Sequence, residues 1–439
     1  MSEDLLRTRN VSSRKHMDLC WCLAVVFGLA LFTPGISRAF FEDLYVSGFV
    51  SQGYYKTSEY DFILSNSTKG TSEFNEAAIS VQANPIERLR IGIQLIATDA
   101  GDMGNNEIRV DWAFGDYRWR DWLGFRAGKI KMQMGFYNIG RDIDMLRTSI
   151  FLPQSVYSEN WRDFAMAQEG ISFYGNSEAG PVGSVEYEAY AGALNVPDPD
   201  HSYWQRAFSS SAEFDLAVFN AMFGGDTLSY DLQQIVGINP AFPWIAGGSM
   251  IWNTPVEGLR FGASLITGEY EMTSKALAYV NIVDPNTGAL KSSTLESLDV
   301  RWAARYLLSF FSVEYSWRQF ILAAETLRFE QEHEINQGTY IMLTWEPTPV
   351  YSLSGYVSEF IPDIDNRDGK NFEDPLRKDF TAWQREAVLS GRVNLTSNWL
   401  VKAEFHAVDG IGQIFYTPEV LESNSRYWTM FALKTTFHF

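Results

Sequence analysis

The last stretch of the chain, Ser425–Phe439, reads SRYWTMFALKTTFHF and alternates between apolar and polar side chains. Large apolar residues occupy one parity of the stretch, namely Tyr427, Phe431, Leu433, Phe437 and Phe439. Basic and polar residues occupy the other parity, namely Arg426, Lys434, Thr436 and His438. Successive side chains of a β-strand point to opposite faces, so the stretch predicts a strand with an apolar face and a basic face.

The same alternation recurs throughout the chain. Ala77, Ile79 and Val81 lie opposite Glu76 and Ser80, for example. Comparable segments are 89–97, 108–114, 123–127, 185–191, 259–265, 301–310 and 399–407. Lipid cannot satisfy the open edge of a sheet, so repeated strands with one apolar face predict a sheet that closes on itself.

In two of these segments the assignment of faces depends on aromatic residues. In residues 108–114 we assign Trp112 and Phe114 to the lipid-facing side, opposite Arg109 and Asp111. In residues 301–310 we assign the aromatic parity to the lipid-facing side in the same way, and the opposite parity holds Arg301 and Arg305.

Connections of two lengths alternate between these segments. Short ones are predicted near 84–87, 118–121, 176–182, 253–257, 317–319, 346–349 and 396–398, and long ones near 132–166, 194–246, 271–297, 361–382 and 410–424. Short periplasmic turns alternating with longer outside loops are typical of outer-membrane barrels. We therefore predict an all-β fold, a transmembrane antiparallel β-barrel of about 16 strands over residues 40–439; 14 or 18 strands would require one misread loop. A short helix is predicted within the longest connection, over Ser209–Phe223.

The N-terminal region predicts a secretory signal peptide over residues 1–39. Arg7, Arg9, Arg14 and Lys15 precede the apolar run Leu19–Phe32, and Ser37-Arg38-Ala39 follows it. A basic start, a short apolar middle and a small-residue end are the marks of such a peptide. Both cysteines, Cys20 and Cys22, lie inside it, so the mature chain is expected to contain no thiol.

Composition and motifs argue against several classes of function. The formal charge of −19 argues against a nucleic-acid partner. We find no cysteine or histidine pattern that predicts a metal or a cofactor, and the acidic loop 362–369 departs from a calcium loop, because Arg367 fills a ligand position and the glycine comes one place late. The histidines expected in the mature chain, His201, His333, His406 and His438, lie near no serine motif of the hydrolase type, so an enzyme is not predicted.

Residues 128–157 resemble a broad family of bacterial outer-membrane porins that includes the phosphate-selective and dicarboxylate-type porins. The shared elements are Gly128-Lys129, Gly135-Phe136-Tyr137-Asn138, Arg141-Asp142 and the run from Leu152-Pro153 to Tyr157. The resemblance implies a 16-stranded barrel in the bacterial outer membrane, often a homotrimer, through which small hydrophilic solutes diffuse. It implies contact with outer-membrane lipid and lipopolysaccharide, and a barrel-assembly machinery that reads a terminal signal, here Phe437 and Phe439.

The resemblance also implies that the long loop after the fifth strand folds inward and narrows the pore. We expect the charged residues of this region to form the constriction: Lys129, Lys131, Arg141, Asp142, Arg147, Arg162 and Asp163. The alternative is that these residues form salt bridges that pin the loop to the barrel wall, and the two roles can coexist.

Basic residues outnumber acidic ones on the predicted polar faces of the strands. The predicted lumen-facing residues are Arg88, Arg90, Arg109, Arg126, Arg260, Arg301, Arg305, Arg392, Lys402, Arg426 and Lys434. Rings of Arg and Lys select anions, so we predict a lumen that prefers anionic solutes. The alternative is that these residues pair with lumenal acids and only brace the wall. A structural or adhesive barrel, or less readily a barrel enzyme, remains the competing function.

Overall fold

Sixteen β-strands make up the computed structural model. It describes residues 44–439, except for 102–103, 197–202, 224–227, 285–286, 288, 333, 418–419, 421 and 424, so the predicted signal peptide lies outside the described residues. The strands are β1 Leu44–Thr57, β2 Asn75–Ile86, β3 Leu89–Asp99, β4 Ile108–Arg120, β5 Leu123–Lys131, β6 Ala167–Glu178, β7 Ser184–Leu194, β8 Leu228–Asn253, β9 Leu259–Val283, β10 Leu290–Trp317, β11 Phe320–Gln331, β12 Glu334–Trp345, β13 Tyr351–Ile361, β14 Gln384–Asn394, β15 Trp399–Gly410 and β16 Tyr427–His438.

The sheet closes on itself. Each strand pairs antiparallel with its neighbours in sequence, and β1 pairs with β16, with Val50 opposite Phe437. A closed antiparallel barrel leaves no unpaired edge in the wall, which is the condition for crossing a bilayer with strands. The predicted all-β fold and its 16 strands are confirmed.

The outer face of the barrel is apolar, as the terminal strand predicts. Along β16 the outward side chains of Phe431, Leu433 and Phe437 are exposed, while Lys434 and Thr436 on the opposite parity are buried in the interior. Other exposed apolar side chains on strand faces include Ile79, Leu265, Phe311, Ile341, Leu343, Val357, Leu389 and Phe405. An apolar exterior around a charged interior is the arrangement of outer-membrane barrels, so the chain is a barrel of the bacterial outer membrane.

Helices play a small part in the fold. Within the described ranges the longest helix is α2 (Tyr203–Phe223), which includes the predicted Ser209–Phe223 and begins earlier, while α1 (Arg162–Ala165) is a single turn. Among the described residues, no helix is both long enough and apolar enough to cross a bilayer.

The short turns fall where the sequence predicts them, but two long connections are shorter than expected. Strands β8, β9 and β10 extend far past the barrel rim, and they convert most of the predicted loop 271–297 and part of 194–246 into strand. Pairing between β10 and β11 begins at Tyr306 of β10. The earlier residues of β10, 290–305, pair with β9 alone. Loop and strand are hard to separate there because residues 276–283 carry apolar side chains on both parities, so no apolar–polar alternation marks the strand.

A β-bulge reverses the predicted faces in β4. Gln94 pairs with Trp112, but the next residue, Leu95, pairs with Val110, so Asp111 is the extra residue. Beyond the bulge, Trp112 and Phe114 turn into the lumen. The guanidinium of Arg90 lies 5.3 Å from the ring centroid of Phe114, which places both side chains on the same inner face. Our assignment of Trp112 and Phe114 to the lipid face was therefore wrong, because one inserted residue flips every later side chain.

Candidate functional site

The long loop after β5, residues 132–166 (the inner loop), lies inside the barrel. Its residues Leu152, Val156 and Tyr157 pack with inward side chains of the wall, including Tyr340 and Tyr306. The loop is held at its start by Asn138, whose side-chain amide donates to the Met132 carbonyl at 2.9 Å. Gly135 has φ +58°, and a Cβ there would collide with the Tyr157 hydroxyl, so this turn requires glycine.

The segment of the inner loop around Asp144 is fixed by a buried ionic network with β15, β16 and β2. Asp144 of the loop accepts from Lys402 Nζ at 3.1 Å and lies 3.4 Å from Lys434 Nζ. Lys434 Nζ in turn lies 2.5 Å from Glu76. Thr436 donates a further hydrogen bond to Asp144 at 2.5 Å. Charges this deeply buried persist because each has an opposite partner.

The network continues through Arg162 of α1. This guanidinium contacts Glu76 and Asp142, the latter at 3.2 Å. Asp142 also pairs with Lys131, whose ammonium lies 3.3 Å from Asp111 of β4. The inner loop is thus linked ionically to β2, β4, β5, β15 and β16 at once.

A second ionic group lies within the loop itself. Arg141 donates to Glu159 at 2.9 Å and to the Tyr157 carbonyl at 2.7 Å. Arg147 lies 3.6 Å from Asp144 and donates to backbone carbonyls, including that of Ile150 at 2.8 Å. These bonds hold the loop in a compact conformation. They also pair Arg141 and Arg147, two of the charged residues predicted to form the constriction, with acids of the loop.

Two carboxylates of the wall hold the loop backbone. Glu404 of β15 accepts from the Ile150 amide at 2.7 Å and the Phe151 amide at 3.3 Å. Glu404 also lies 2.8 Å from His406 Nε2, and the other ring nitrogen of His406 lies 3.2 Å from Glu386. Glu404 is therefore both an anchor for the loop and part of a buried cluster on the wall.

Glu325 of β11 is the second carboxylate anchor. It accepts from the Phe136 amide at 2.7 Å and from the hydroxyls of Tyr157 and Tyr340, each at 2.5 Å. Ser312 donates to the same carboxylate. A buried carboxylate with four donors is strongly held, because a charged acceptor forms stronger hydrogen bonds than a neutral one.

The surroundings of the loop acids shift their pKa values. Burial alone would raise the pKa of Glu159, but Arg141 and Arg162 lower it, to about 2. Burial likewise opposes ionisation of Asp144, yet Lys402, Lys434 and Arg147 hold its pKa well below the ordinary value. Both carboxylates are consequently charged at neutral pH.

The structure places the predicted constriction residues in three groups. Arg141, Asp142, Arg147 and Arg162, with Lys131, are buried or largely buried in the salt bridges described above. Lys129 shares the outward parity of Ala127 and donates to the Val110 carbonyl at 2.6 Å, so it does not line the lumen. The reason is strand parity, which in β5 directs Arg126 and Ile130 inward. The side chain of Asp163 lies outside the described part of the structure.

Most predicted lumen-facing residues lie on inward-facing parities, and three do not. Arg90, Arg109, Arg126, Arg260, Arg392, Lys402 and Lys434 point inward, and Arg88 lies in the β2–β3 turn at the mouth.

Arg301 and Arg305 were predicted to face the lumen, and the structure places them on the outward face of β10. That parity carries Tyr306, Phe310 and Glu314, so both arginines share the outward parity. Arg305 is largely exposed and lies 3.9 Å from Glu269. The aromatic face of this strand packs against other aromatic side chains inside the barrel rather than against lipid.

The predicted lumenal position of Arg426 is also wrong. It precedes β16 and donates to Asp409 at 2.6 Å, on the outward parity of β15. Its guanidinium also lies over the ring of Tyr427, an outward side chain. Arg426 therefore belongs to the rim at the long-loop end of the barrel.

Several residues that hold the site were not singled out by sequence reasoning. These residues are acids that form ion pairs or hydrogen bonds at the inner loop: Asp144, Glu159, Glu314 and Glu325. Their only signal in the sequence is a negative charge on an inward parity or within the loop.

Some lumenal charge stays in contact with water near the short turns. The side chains of Arg90, Arg260 and Arg126 are 44%, 35% and 20% exposed. Arg260 pairs with Glu314 at 2.9 Å and lies 4.4 Å from the ring centroid of Phe136, at the start of the inner loop. Among the described residues, no group of three or more His, Cys, Asp or Glu could hold a metal ion.

Solved structures share this architecture at low sequence identity. OmpF of Salmonella typhi, solved in complex with daunomycin, gives a TM-score of 0.52 at 10% identity over 90% of this chain and 97% of that chain. OprB of Pseudomonas putida gives 0.51 at 11% identity over 92% and 96%. The outer membrane channel DcaP of Acinetobacter baumannii gives 0.50 at 10% identity over 90% and 97%. The fold is that of the outer-membrane porins. No family model matches the sequence, and neither does any curated protein.

Proposed function

We propose that the chain forms a water-filled channel in the outer membrane for passive diffusion of small hydrophilic solutes. The observation that carries this proposal is the charged wall near the short turns, where Arg90, Arg126 and Arg260 face the lumen and remain partly exposed. A 16-stranded barrel is wide enough to leave an aqueous bore. The inner loop, held against the wall by Glu325 and Glu404, would set its narrowest part.

Planar-bilayer recording of the purified protein tests the channel. We expect discrete conductance steps that grow linearly with salt concentration, as in an aqueous pore. A barrel that inserts into the bilayer, as judged by flotation with lipid vesicles, yet gives no steps at any voltage would rule out the proposed channel.

We further propose that the channel prefers anions. Lys402, Lys434 and Arg392 are engaged by the inner loop, so selectivity rests on the partly exposed Arg90, Arg126 and Arg260. Three carboxylates, Asp116, Glu188 and Glu314, pair with these arginines and reduce the preference. The sign of the reversal potential in a tenfold KCl gradient decides between anion and cation preference.

A closed structural barrel is the second candidate, and two observations favour it. An apolar cluster with Tyr55, Phe151 and Trp428 fills part of the interior near β1 and β16. In addition, α2 contacts the loops at the long-loop end of the barrel, where the ring centroids of Phe214 and Tyr416 lie 6.0 Å apart. Absence of conductance with full vesicle insertion would support this candidate.

The remaining proposals concern assembly and partners. We propose that the assembly machinery recognises Phe437 and Phe439, that the exposed apolar band contacts lipid and lipopolysaccharide, and that the barrel is a homotrimer, as the resemblance of the loop implies. Both phenylalanines are exposed on the outside of the barrel. Analytical ultracentrifugation in a density-matched detergent would report the oligomeric state.

A further inference from the structure

Beyond the barrel rim, strands β8, β9 and β10 form a projecting three-stranded sheet, and one edge of this sheet is unpaired. Within the described part of the chain, residues 290–305 of β10 (the projecting edge) pair with β9 on one side only, because β11 joins β10 at Tyr306. The unpaired edge of a sheet presents backbone N–H and C=O groups that can pair with one more strand. The projecting edge is therefore a template for a strand from another molecule.

No described part of the fold covers the projecting edge. Helix α2 contacts β8, the strand at the opposite edge of the projecting sheet, and Ala278 of β9 is fully buried. On β10, by contrast, residues 290–297 are exposed on both strand parities, with Leu290 61% and Leu295 48% exposed. The projecting edge thus has room for a partner strand beside it.

Charges along the projecting edge restrict which strand can pair with it. The charged residues between positions 290 and 302 are Lys291, Glu296, Asp299 and Arg301, and Lys291 is the extra residue of a bulge against β9. Charged side chains and bulges on an edge discourage unselective pairing. A partner strand must therefore match this pattern of charge.

A second copy of the chain carries a matching strand. Two copies related by a twofold axis perpendicular to the sheet can pair their projecting edges as antiparallel strands. The register is limited by β11, which already occupies the edge of β10 from Tyr306 onward. With Leu295 of one copy opposite Leu295 of the other, Lys291 of each copy lies beside Asp299 of its partner. Two ion pairs and an apolar centre then stabilise the strand pair.

Other registers lack this match. Moving the twofold axis by one residue places Glu296 opposite the same glutamate of the partner and Lys291 opposite Arg301, and like charges directly opposite each other destabilise a strand pair. Among the twofold registers that β11 permits, the one centred on Leu295 alone brings opposite charges together.

The charges that form these pairs are accessible in a single copy. Lys291 lies 3.0 Å from Asp284 and Asp299 lies 4.0 Å from Lys275, with the Lys291 and Asp299 side chains 55% and 76% exposed. Ion pairs this exposed contribute little stability, so they oppose exchange of partners only weakly.

We propose that two copies of the chain join through their projecting edges, as antiparallel strands centred on Leu295. Long loops lie on the outside of the bacterial cell, so antiparallel edges link barrels in two apposed outer membranes. The two Tyr306 residues, which mark the rims, then lie roughly 70 Å apart along the strands, so the barrels do not collide. The contact uses neither the lumen nor the wall within the membrane, and it does not rest on the proposed channel function.

Disulfide cross-linking of single-cysteine variants tests the contact, because the mature chain is expected to contain no thiol of its own. Leu295→Cys places two thiols on directly opposite residues, whose Cα atoms lie about 4.5–5.5 Å apart in an antiparallel pair, within reach of a disulfide. The control is Tyr279→Cys on β9, which pairs with Leu295 and is also exposed. Its two thiols would lie three strand spacings apart, about 14 Å, which is too far for a disulfide.

We expect Leu295→Cys to give disulfide-linked dimers on non-reducing gels after mild oxidation, at least about fivefold more than Tyr279→Cys, in detergent and in lipid vesicles. Equal cross-linking of the two variants would show random collision and overturn the contact, as would absence of dimers from Leu295→Cys. Heat-modifiability on unboiled gels shows that each variant is folded before oxidation.

An exchange of charges tests the register. In the Leu295→Cys protein, Asp299→Lys places lysines of the two copies side by side and should reduce the yield of dimers several-fold. Adding Lys291→Asp restores opposite charges and should restore the yield. If the second substitution brings no recovery, the register centred on Leu295 is wrong.

Discussion

Gly48 of β1 and Phe439, the final residue, exchange two backbone hydrogen bonds of 3.0 Å each. The ring of Phe439 covers Gly48, so a Cβ at residue 48 would lie 2.7 Å from the Phe439 ring and 2.7 Å from the Ala78 carbonyl. The seam between first and last strands therefore requires both a terminal residue that pairs and a glycine beneath its ring.

Substitution at this seam should impair closure of the barrel. We expect Gly48→Val to lower the fraction of heat-modifiable, folded barrel on unboiled SDS gels, because the new side chain displaces Phe439. Gly115→Ala is the control, since a Cβ there has no neighbour within 4 Å. Equal folding of both variants would show that the seam tolerates the displacement.

Removal of the last residue tests the proposed assembly signal. We expect deletion of Phe439 to reduce the amount of barrel in the outer-membrane fraction several-fold, through loss of recognition and of the two backbone bonds to Gly48. Tyr427→Ala removes another outward aromatic of β16 and should have a smaller effect. Refolding of the deleted protein in detergent distinguishes lost recognition from lost stability.

Breaking the buried ionic network should destabilise the inner loop. Lys402→Met leaves Asp144 with one fewer cation in a buried site, and removal of one partner of a buried pair costs about 3–5 kcal/mol. Urea unfolding in detergent, followed by tryptophan fluorescence, measures the loss. The exposed Arg305→Met should change the free energy of unfolding by less than about 1 kcal/mol.

Acid should release the inner loop before the barrel unfolds. The pKa of Glu159 falls to about 2 in the folded state from an ordinary 4.5, so its contribution to stability is present above pH 4.5 and is lost as the pH falls through about 2. We expect channel conductance to become noisy or to change between pH 4.5 and 2. Glu159→Gln should show altered conductance already at pH 7, and an unchanged pH profile in this variant would contradict the assignment.

Arg260 offers a direct test of selectivity. Arg260→Gln removes the cation that pairs with Glu314 and leaves this carboxylate with the hydrogen bond from the Tyr137 hydroxyl, so we expect the reversal potential to move toward cation preference. Arg305→Gln removes the same charge from the outward parity and should leave the reversal potential unchanged. Equal shifts would mean that surface charge, rather than the lumenal wall, sets the preference.

The two faces of most strands could be predicted from sequence, but those of β10 and of part of β4 could not. Alternation in β16 identified both faces of that strand, and turn residues located the short connections. In β10 the same method failed, because Tyr306 and Phe310 pack inside the barrel against other aromatic side chains. Alternation separates two faces, but when the lumen is partly filled with apolar side chains it does not say which face meets lipid.

The ionic contacts of the inner loop were also beyond sequence reasoning. Arg141 and Arg162 could be singled out as charged loop residues, but their partners Glu159 and Glu76 lie at separations that no local pattern encodes. The bulge at Asp111 was missed for a related reason, since an extra residue in one strand is visible only beside its partner strand.

The distance along the chain between the inner loop and its anchors has a consequence for the order of folding. Asp144 and Lys402 are separated by 258 residues, and Ile150 and Glu404 by 254. The loop emerges early from the ribosome and the secretion pore, whereas β15 and β16 arrive last. Docking of the loop must therefore wait for the C-terminal strands, so the interior is completed in the same late step that seals the wall.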